Sequence, residues 1–367
     1  MKVLFDHQCF TNQEYGGISR YFVSLMNEFE KINDVSYSLA LKYSNNFYIH
    51  QNNSFNVTKF FPNLNFRGKK FSSHLINLPN SKSQLRKPDY DVFHPTYYNP
   101  YFLKQLNNKP FVLTVYDMTH ELFPDIVHWF DKSAEQKKLL VTKAKKIIAI
   151  SDNTKKDLVE LLKVPTEKIE VIHLASAINS GLSENKEKLK LTERYILYVG
   201  SRNYYKNFSN TVAAFKELVK NDDKLFLVCA GGGKFVDREI RLFNELKLAD
   251  KIIHKPADDN SLAALYSNAI LFIFPSLYEG FGIPALEAMN CDCPMALSNI
   301  SSLPEVGGDA AIYFDPNDPK DICNQMSKII YDENFRNQLI EKGKDRRKEF
   351  SWQKTAIETK NLYEQCL

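Results

Sequence analysis

The chain has 367 residues, of which 44% are apolar and 25% charged, and its formal net charge is +4. That length favours two domains of ordinary size, and the composition excludes a disordered, fibrous or disulfide-stapled chain. No segment is long and apolar enough to span a bilayer, and Met1 leads directly into a strand-like stretch, so a cytoplasmic chain without a secretory signal is expected.

In chain order, short apolar runs alternate with segments of helical spacing. Strands are expected at KVLF, VSYSLAL, YDVFHP, PFVLTVYD, KIIAIS and IEVIHL. Helices are expected over 18–31, near 131–145 and over 152–163, the last with Ser151 as its N-cap. Residues 179–194 are polar and charged without apolar periodicity and read as a linker. A second alternating series follows, with strands at YILYVG, KLFLVCAGGG, KIIHKP, LFIFPS, CPMALS and AAIYFDP. Alternation of this kind predicts an α/β protein with parallel sheets. The expected organisation is a first doubly wound domain over 1–180, a linker over 181–192 and a second domain over 193–349. A closing helix over 350–367 is expected to dock back on the first domain. The six cysteines include one lone C-x-C, Cys291 and Cys293, with no second pair, so free buried thiols are expected and no metal.

Parallel sheets bind ligands beyond the carboxyl ends of their strands, so the loops there carry the functional argument. After the first strand, Gly16 and Gly17 precede a helix whose backbone N–H groups suit a phosphate or a sugar. After the third and fourth strands come His94, then Tyr116, Asp117 and His120. In the second half, Arg202 and Lys206 stand four apart in a loop that enters a helix, a fork and a point charge suited to two phosphates. Another glycine run, from Gly231, ends the next strand. The stretch SLYEGFGIPALEAM sets Glu279 and Glu287 eight positions apart around Gly280, Phe281, Gly282 and Pro284. Pro284 suits the first turn of a helix, and the two glycines let a ligand approach the backbone closely. An anion bearing sugar hydroxyls fits that arrangement, with phosphate at the helix N-terminus and the carboxylates accepting hydrogen bonds.

The segments GSRNYYKNF, AGGG, PSLYEGFGIPALEAM, SSLPEVGGDAAIYFDPND, IIAISDNTKKDL and EYGGISRY resemble glycosyltransferase family 4, the retaining enzymes of GT-B fold. The resemblance implies two Rossmann-like domains facing each other across a cleft and a nucleotide diphosphate sugar as donor. It assigns Glu279 to the donor sugar near the reacting centre, Glu287 to the ribose hydroxyls, and Arg202 with Lys206 to the diphosphate. Gly200, Gly231, Gly280, Phe281 and Gly282 would line the donor, and Gly17 would approach its phosphate or the acceptor. No metal and no other cofactor is implied. Many relatives carry histidine where Tyr116 stands here, which makes Asp117 and His120 the candidates for its work, with His94 and Tyr116 on the sugar or acceptor side.

The resulting expectation is a hexosyl- or deoxyhexosyltransferase, with mannose from GDP-mannose as the leading donor. Its acceptor would be a lipid-linked glycan of an O-antigen, capsule or other surface polysaccharide. A non-catalytic GT-B protein that binds nucleotide sugar is the alternative, and a sugar-nucleotide epimerase stands behind it. Charge adds one more expectation. Residues 35–88 hold eight Lys or Arg and no Asp or Glu, so the remainder of the chain is net acidic. Within that span Arg67, Lys69 and Lys70 interleave with phenylalanines, a pattern that suits an anionic membrane surface on the inner leaflet. No nucleic-acid-binding module accompanies it.

Overall fold

The computed structural model describes residues 1–51, 54–126, 131–178, 194–256 and 258–367, and the expected linker over 181–192 falls outside them. The chain divides into two compact units, Met1–Leu174 with Trp352–Leu367, and Ala175–Ser351.

In the first unit the apolar runs form β1 (Lys2–Phe5), β2 (Ser36–Leu39), β3 (Val92–His94), β4 (Val112–Val115), β5 (Lys146–Ala149) and β6 (Ile169–Val171). They pair in parallel as β2-β1-β3 and β4-β5-β6, and a parallel bridge between Phe93 and Phe111 joins the two groups. β1, β3, β4 and β5 are almost wholly buried because helices cover both faces, which is why they read as apolar runs instead of alternating ones. The expected helices appear at Gly17–Phe29, Ser133–Lys143 and Asp152–Leu162, and Ser151 Oγ accepts the Thr154 N–H at 3.0 Å as the N-cap.

Besides short helices at Gln8–Asn12, Phe47–Gln51 and Thr119–Leu122, one long helix was not expected. Lys69–Leu85 runs through the basic span, with Pro79 inside it. Its inward face is polar: Ser73, Asn77 and Ser81 are buried at four-residue spacing. Asn77 Oδ1 accepts the backbone N–H groups of Lys42 (2.8 Å) and Tyr43 (3.1 Å), while its amide donates to Tyr43 O at 2.8 Å. Hydrogen bonds therefore seat this helix where an apolar stripe ordinarily would.

The helix Trp352–Glu364 belongs to the first unit. Its Tyr363 hydroxyl meets His94 Nδ1 at 2.6 Å, and His94 Nε2 lies 2.9 Å from Thr114 Oγ1.

The second unit is one six-stranded parallel sheet in the order β12-β11-β10-β7-β8-β9. Its strands are β7 (Tyr195–Val199), β8 (Phe226–Ala230), β9 (Ile252–Lys255), β10 (Leu271–Phe274), β11 (Met295–Ser298) and β12 (Ala311–Phe314). The order reverses between β7 and β10, so the loops after those two strands lie side by side at the switch point. In the first unit the corresponding reversal falls between β1 and β3. All six cysteines are free, five of them buried.

His94 supplies a pH test of the first unit. Burial lowers its pKa from 6.5 to about 3. The unfolded chain therefore binds a proton below pH 6.5 that the folded chain refuses, and the stability present above that pH is lost as pH falls toward 3. Urea unfolding between pH 7.5 and 5 should show His94 contributing a loss of about 1.4 kcal/mol per pH unit below 6.5. His94→Gln should be less stable at pH 7.5 but flatter with pH by that amount; an equal slope in both proteins would show that His94 is not the group responsible.

Candidate active site

β10 ends at Phe274, and from Pro275 the chain turns through Glu279 into the helix Ile283–Asn290, with Pro284 in its first turn. Gly282 closes the turn at φ +114°, in the left-handed region, where an added Cβ would stand 2.9 Å from Leu303 Cδ2. Two serines hold the turn from the neighbouring loop. Ser301 Oγ accepts the Glu279 N–H at 3.0 Å and donates to the Glu279 carbonyl at 2.6 Å. Ser302 Oγ lies 2.9 Å from the same carbonyl and 2.7 Å from that of Phe281, whose buried ring packs against Phe350. The serines fix where the Glu279 side chain starts, a role that nothing in their spacing revealed.

From the adjacent loop after β7, Lys206 Nζ reaches Glu279 Oε1 at 2.6 Å, and both side chains are mostly buried. Glu287, one turn into the helix, is buried and accepts a hydrogen bond from the Tyr266 hydroxyl at 3.1 Å. Burial, reinforced by the Glu287 carboxylate, pushes that hydroxyl's pKa well up, so Tyr266 stays a donor. The two glutamates thus have separate partners, a cation for Glu279 and a phenol for Glu287.

Arg202, on the same loop as Lys206, has protein partners of its own. Its side chain is 4% exposed, and Nε donates to Glu239 Oε1 at 2.7 Å. Nη1 donates to the Gly231 carbonyl at 3.2 Å, and Nη2 to those of Gly233 (3.0 Å) and Lys234 (3.1 Å). Glu239 Oε2 in turn accepts the Val236 N–H at 2.9 Å, which caps the helix Asp237–Glu245. A five-donor guanidinium drawn to a buried carboxylate and a ring of carbonyls holds the glycine loop from inside. Gly200 (φ +122°) and Gly231 (φ +75°) take left-handed conformations at the ends of β7 and β8.

In the first unit, Gly17 opens the helix Gly17–Phe29, where the Gln13 Oε1 accepts the Ser19 N–H at 3.2 Å. The loop after β4 is tied down by Lys137, which no sequence signal marked. Its fully buried ammonium donates to the Asp117 carbonyl at 2.7 Å and to Glu121 Oε2 at 2.8 Å. Asp117 Oδ1 caps its own turn by accepting the Thr119 N–H at 2.9 Å, and His120 Nε2 lies 3.4 Å from Asp131 Oδ2. Tyr116 is buried, and its hydroxyl, His120 Nδ1 and Glu121 Oε1 are buried polar atoms without a hydrogen-bond partner among the described residues. His94 is corrected from a sugar- or acceptor-side residue to a core one: it is 0% exposed and both ring nitrogens serve buried partners.

Two Rossmann-like α/β units of parallel sheet are the architecture of the GT-B class of glycosyltransferases. Comparison with known proteins places the chain among them. Residues 15–175 match the family described as Glycosyltransferase Family 4, and residues 181–346 match Glycosyl transferases group 1. Its two parts belong to these two glycosyltransferase families, which together cover most of the chain. It is 29% identical to the O-antigen chain mannosyltransferase B of Escherichia coli, over 75% of this chain and 74% of that one. It is 31% identical to the O-antigen chain mannosyltransferase RfbU of Salmonella typhimurium, over 59% and 60%. A 31% match to the serotype-specific mannosyltransferase WbdA of Escherichia coli covers 58% of this chain but only 28% of that longer protein. The sucrose-phosphate synthase of Thermosynechococcus elongatus superimposes with a TM-score of 0.77 at 20% identity, covering 100% and 98% of the two chains. Anabaena HepE, solved in complex with UDP and glucose, does so at 0.75 and 13%, covering 99% of each. Both share the fold.

The Arg202–Glu239 pair generates a stability test. Glu239→Gln leaves a buried guanidinium without its countercharge and should cost the second unit about 3 kcal/mol by urea unfolding. Replacing both partners, as in Arg202→Met with Glu239→Leu, should cost less than that single change. A single variant as stable as the parent would mean that the pair holds nothing.

Proposed function

We propose that the protein transfers mannose from GDP-mannose, with retention of anomeric configuration, to a hydroxyl of a surface-polysaccharide glycan such as an O-antigen. The observation that carries this reading is the Lys206–Glu279 contact, with Glu287 one helical turn beyond it. When the bond between sugar and diphosphate breaks, negative charge grows on the leaving phosphate. Lys206 brings an ammonium that can meet that charge beside Glu279, and the positive end of the helix Ile283–Asn290 favours the same charge. Glu279 then accepts from the sugar hydroxyls and Glu287 from the ribose, each carboxylate held by its own partner. Arg202 contributes by shaping the glycine loop that faces the nucleotide, rather than by direct contact with phosphate. The O-antigen mannosyltransferases among the relatives support the choice of sugar and acceptor. A cation supplied by the chain does the work of a metal, so none is required.

The test starts with the nucleotide. GDP at a hundredfold excess over its Kd should raise apparent stability by about 2.7 kcal/mol in thermal shift, with UDP, dTDP and ADP smaller. Glu287→Ala should weaken GDP binding, by about 1–3 kcal/mol for the lost acceptor. Glu279→Gln should bind GDP normally and lose kcat, and Lys206→Ala should lower kcat by roughly 10²–10³. Activity should survive EDTA; strong inhibition reversed by Mg²⁺ or Mn²⁺ would sink the metal-free mechanism.

The acceptor is proposed to be lipid-linked, met at the inner leaflet of an anionic membrane. No helix among the described residues is long and apolar enough to cross a bilayer. The helix Lys69–Leu85 instead turns apolar side chains outward. Phe71 is 65% exposed and Leu75 47%, whereas Asn77 is 0%. Phe61, Leu64 and Phe66 are exposed in the segment just before it, beside Arg67, Lys69 and Lys70. Apolar side chains in the open among bases and no acids match a headgroup layer over hydrocarbon. The protein should co-sediment with liposomes of anionic lipid at low salt and release as salt rises. An Arg67→Glu, Lys69→Glu, Lys70→Glu variant should stay in the supernatant; if it pellets like the parent, this face does not bind the membrane.

A further inference from the structure

The switch point of the first unit carries a chain of hydrogen bonds that the donor chemistry above does not use. Asp6, directly after β1, is fully buried. Its Oδ1 accepts from Thr96 Oγ1 at 2.7 Å and the Thr96 N–H at 2.9 Å, and its Oδ2 from Gln8 Nε2 (2.8 Å) and the Tyr101 hydroxyl (2.9 Å). This carboxylate ties the loop after β1 to the loop after β3 and so fixes the next residue, His7.

His7 is also fully buried, and the protons around it can be placed one by one. The Ala40 carbonyl can only accept, so Ser81 Oγ donates to it at 2.9 Å. Ser81 Oγ then accepts from His7 Nδ1 at 2.6 Å, which puts the His7 proton on Nδ1 and a lone pair on Nε2. That lone pair faces His74 Nδ1 at 3.1 Å, so His74 also carries its proton on Nδ1. His74 Nε2 is left as an acceptor, with no protein donor among the described residues. Burial pushes His7 down to about 4 and His74 below its usual value, which keeps both rings neutral near pH 7. His74 is only part-buried, on the helix whose exposed face holds Phe71 and Leu75.

We infer that His74 is an acceptor-binding residue whose Nε2 receives a hydrogen bond from a hydroxyl of the incoming glycan, and that His7 is the positioning residue that fixes its tautomer. A lone surface imidazole would divide between tautomers and present a donor or an acceptor. Here three linked bonds ending on a backbone carbonyl commit it to accepting, which is what a sugar hydroxyl needs. The place is where parallel sheets bind ligands, between β1 and β3. The inference rests on the reading of the protein as a glycan-extending mannosyltransferase and names a contact for its acceptor.

The experiment has an arm that needs no turnover. Two-bond ¹H–¹⁵N spectra of the parent at pH 7.5 should show His7 and His74 as Nδ1–H tautomers, and α-linked mannobiose should shift the His74 Nε2 resonance. A His74 proton on Nε2, or no shift at saturating mannobiose, overturns the inference even if GDP binds. In the transfer assay with GDP-mannose and mannobiose, His74→Ala should raise the acceptor KM at least tenfold, with kcat and donor KM within about twofold. His74→Gln, whose amide oxygen reaches near the Nε2 position, should recover most of that loss, and His74→Asn, which reaches only near Nδ1, should not. An unchanged acceptor KM in His74→Ala, or recovery by Asn in place of Gln, also overturns it. A parent that neither binds GDP nor transfers mannose while its His74 still responds to mannobiose strikes the proposed reaction and leaves this contact standing.

Discussion

Parallel pairing is the constraint from which the rest of the molecule follows. Because every strand in both units runs in register with parallel neighbours, every strand must be followed by a crossover, and all the carboxyl-end loops gather at one edge of each sheet. Those edges collect charge in a region that is largely dry. A buried charge survives only when paired and hydrogen-bonded. Four cases show the different chemistry with which the described residues meet that demand: Asp6 with neutral donors, Lys137 with Glu121, Arg202 with Glu239, and Lys206 with Glu279.

These four solutions are not equivalent, and their differences decide what each can do. Arg202 is spent on Glu239 and the carbonyls of Gly231, Gly232, Gly233 and Lys234 with a side chain 4% exposed, so releasing it would undo the glycine loop. Lys137 is likewise enclosed. Lys206 keeps 18% of its side chain in the open, on a flexible stem that can turn toward a ligand without breaking the fold. Two bases four residues apart thus differ in their surroundings, one locked into the glycine loop and one paired with Glu279. Spacing alone could not separate them, because the partner that captures Arg202 lies 37 residues away.

What the sequence made legible was whatever is local. Strands, the Ser151 cap and the turn around Gly282 and Pro284 depend on residues within a few positions, and each was found where the pattern put it. The helix Lys69–Leu85 was missed because its buried stripe is Ser73, Asn77 and Ser81, which reads as a solvated face to any rule that looks for apolar periodicity. His94 misled for the opposite reason. A histidine at a strand end looks catalytic, but its partners Thr114 and Tyr363 sit 20 and 269 residues downstream. Asp6, His7 and His74 were hard to read locally, since apart from Gln8 on Asp6 the side-chain contacts that define them span 67 to 95 residues.

The inverted helix joins two of these threads. Its polar inner face is what allows Ser81 to reach His7, and the same inversion sends Phe71 and Leu75 outward. Along a helix each residue advances about 1.5 Å, so His74 stands roughly 4–5 Å along the axis from Phe71. An imidazole acceptor and exposed apolar side chains therefore stand within one turn of each other on the same helix. A helix with an ordinary apolar core face could have supplied neither: its hydrophobes would be buried, and the hydroxyl that orders the two imidazoles would have no place against the sheet. The apparent defect in amphipathicity is thus the condition for both surfaces.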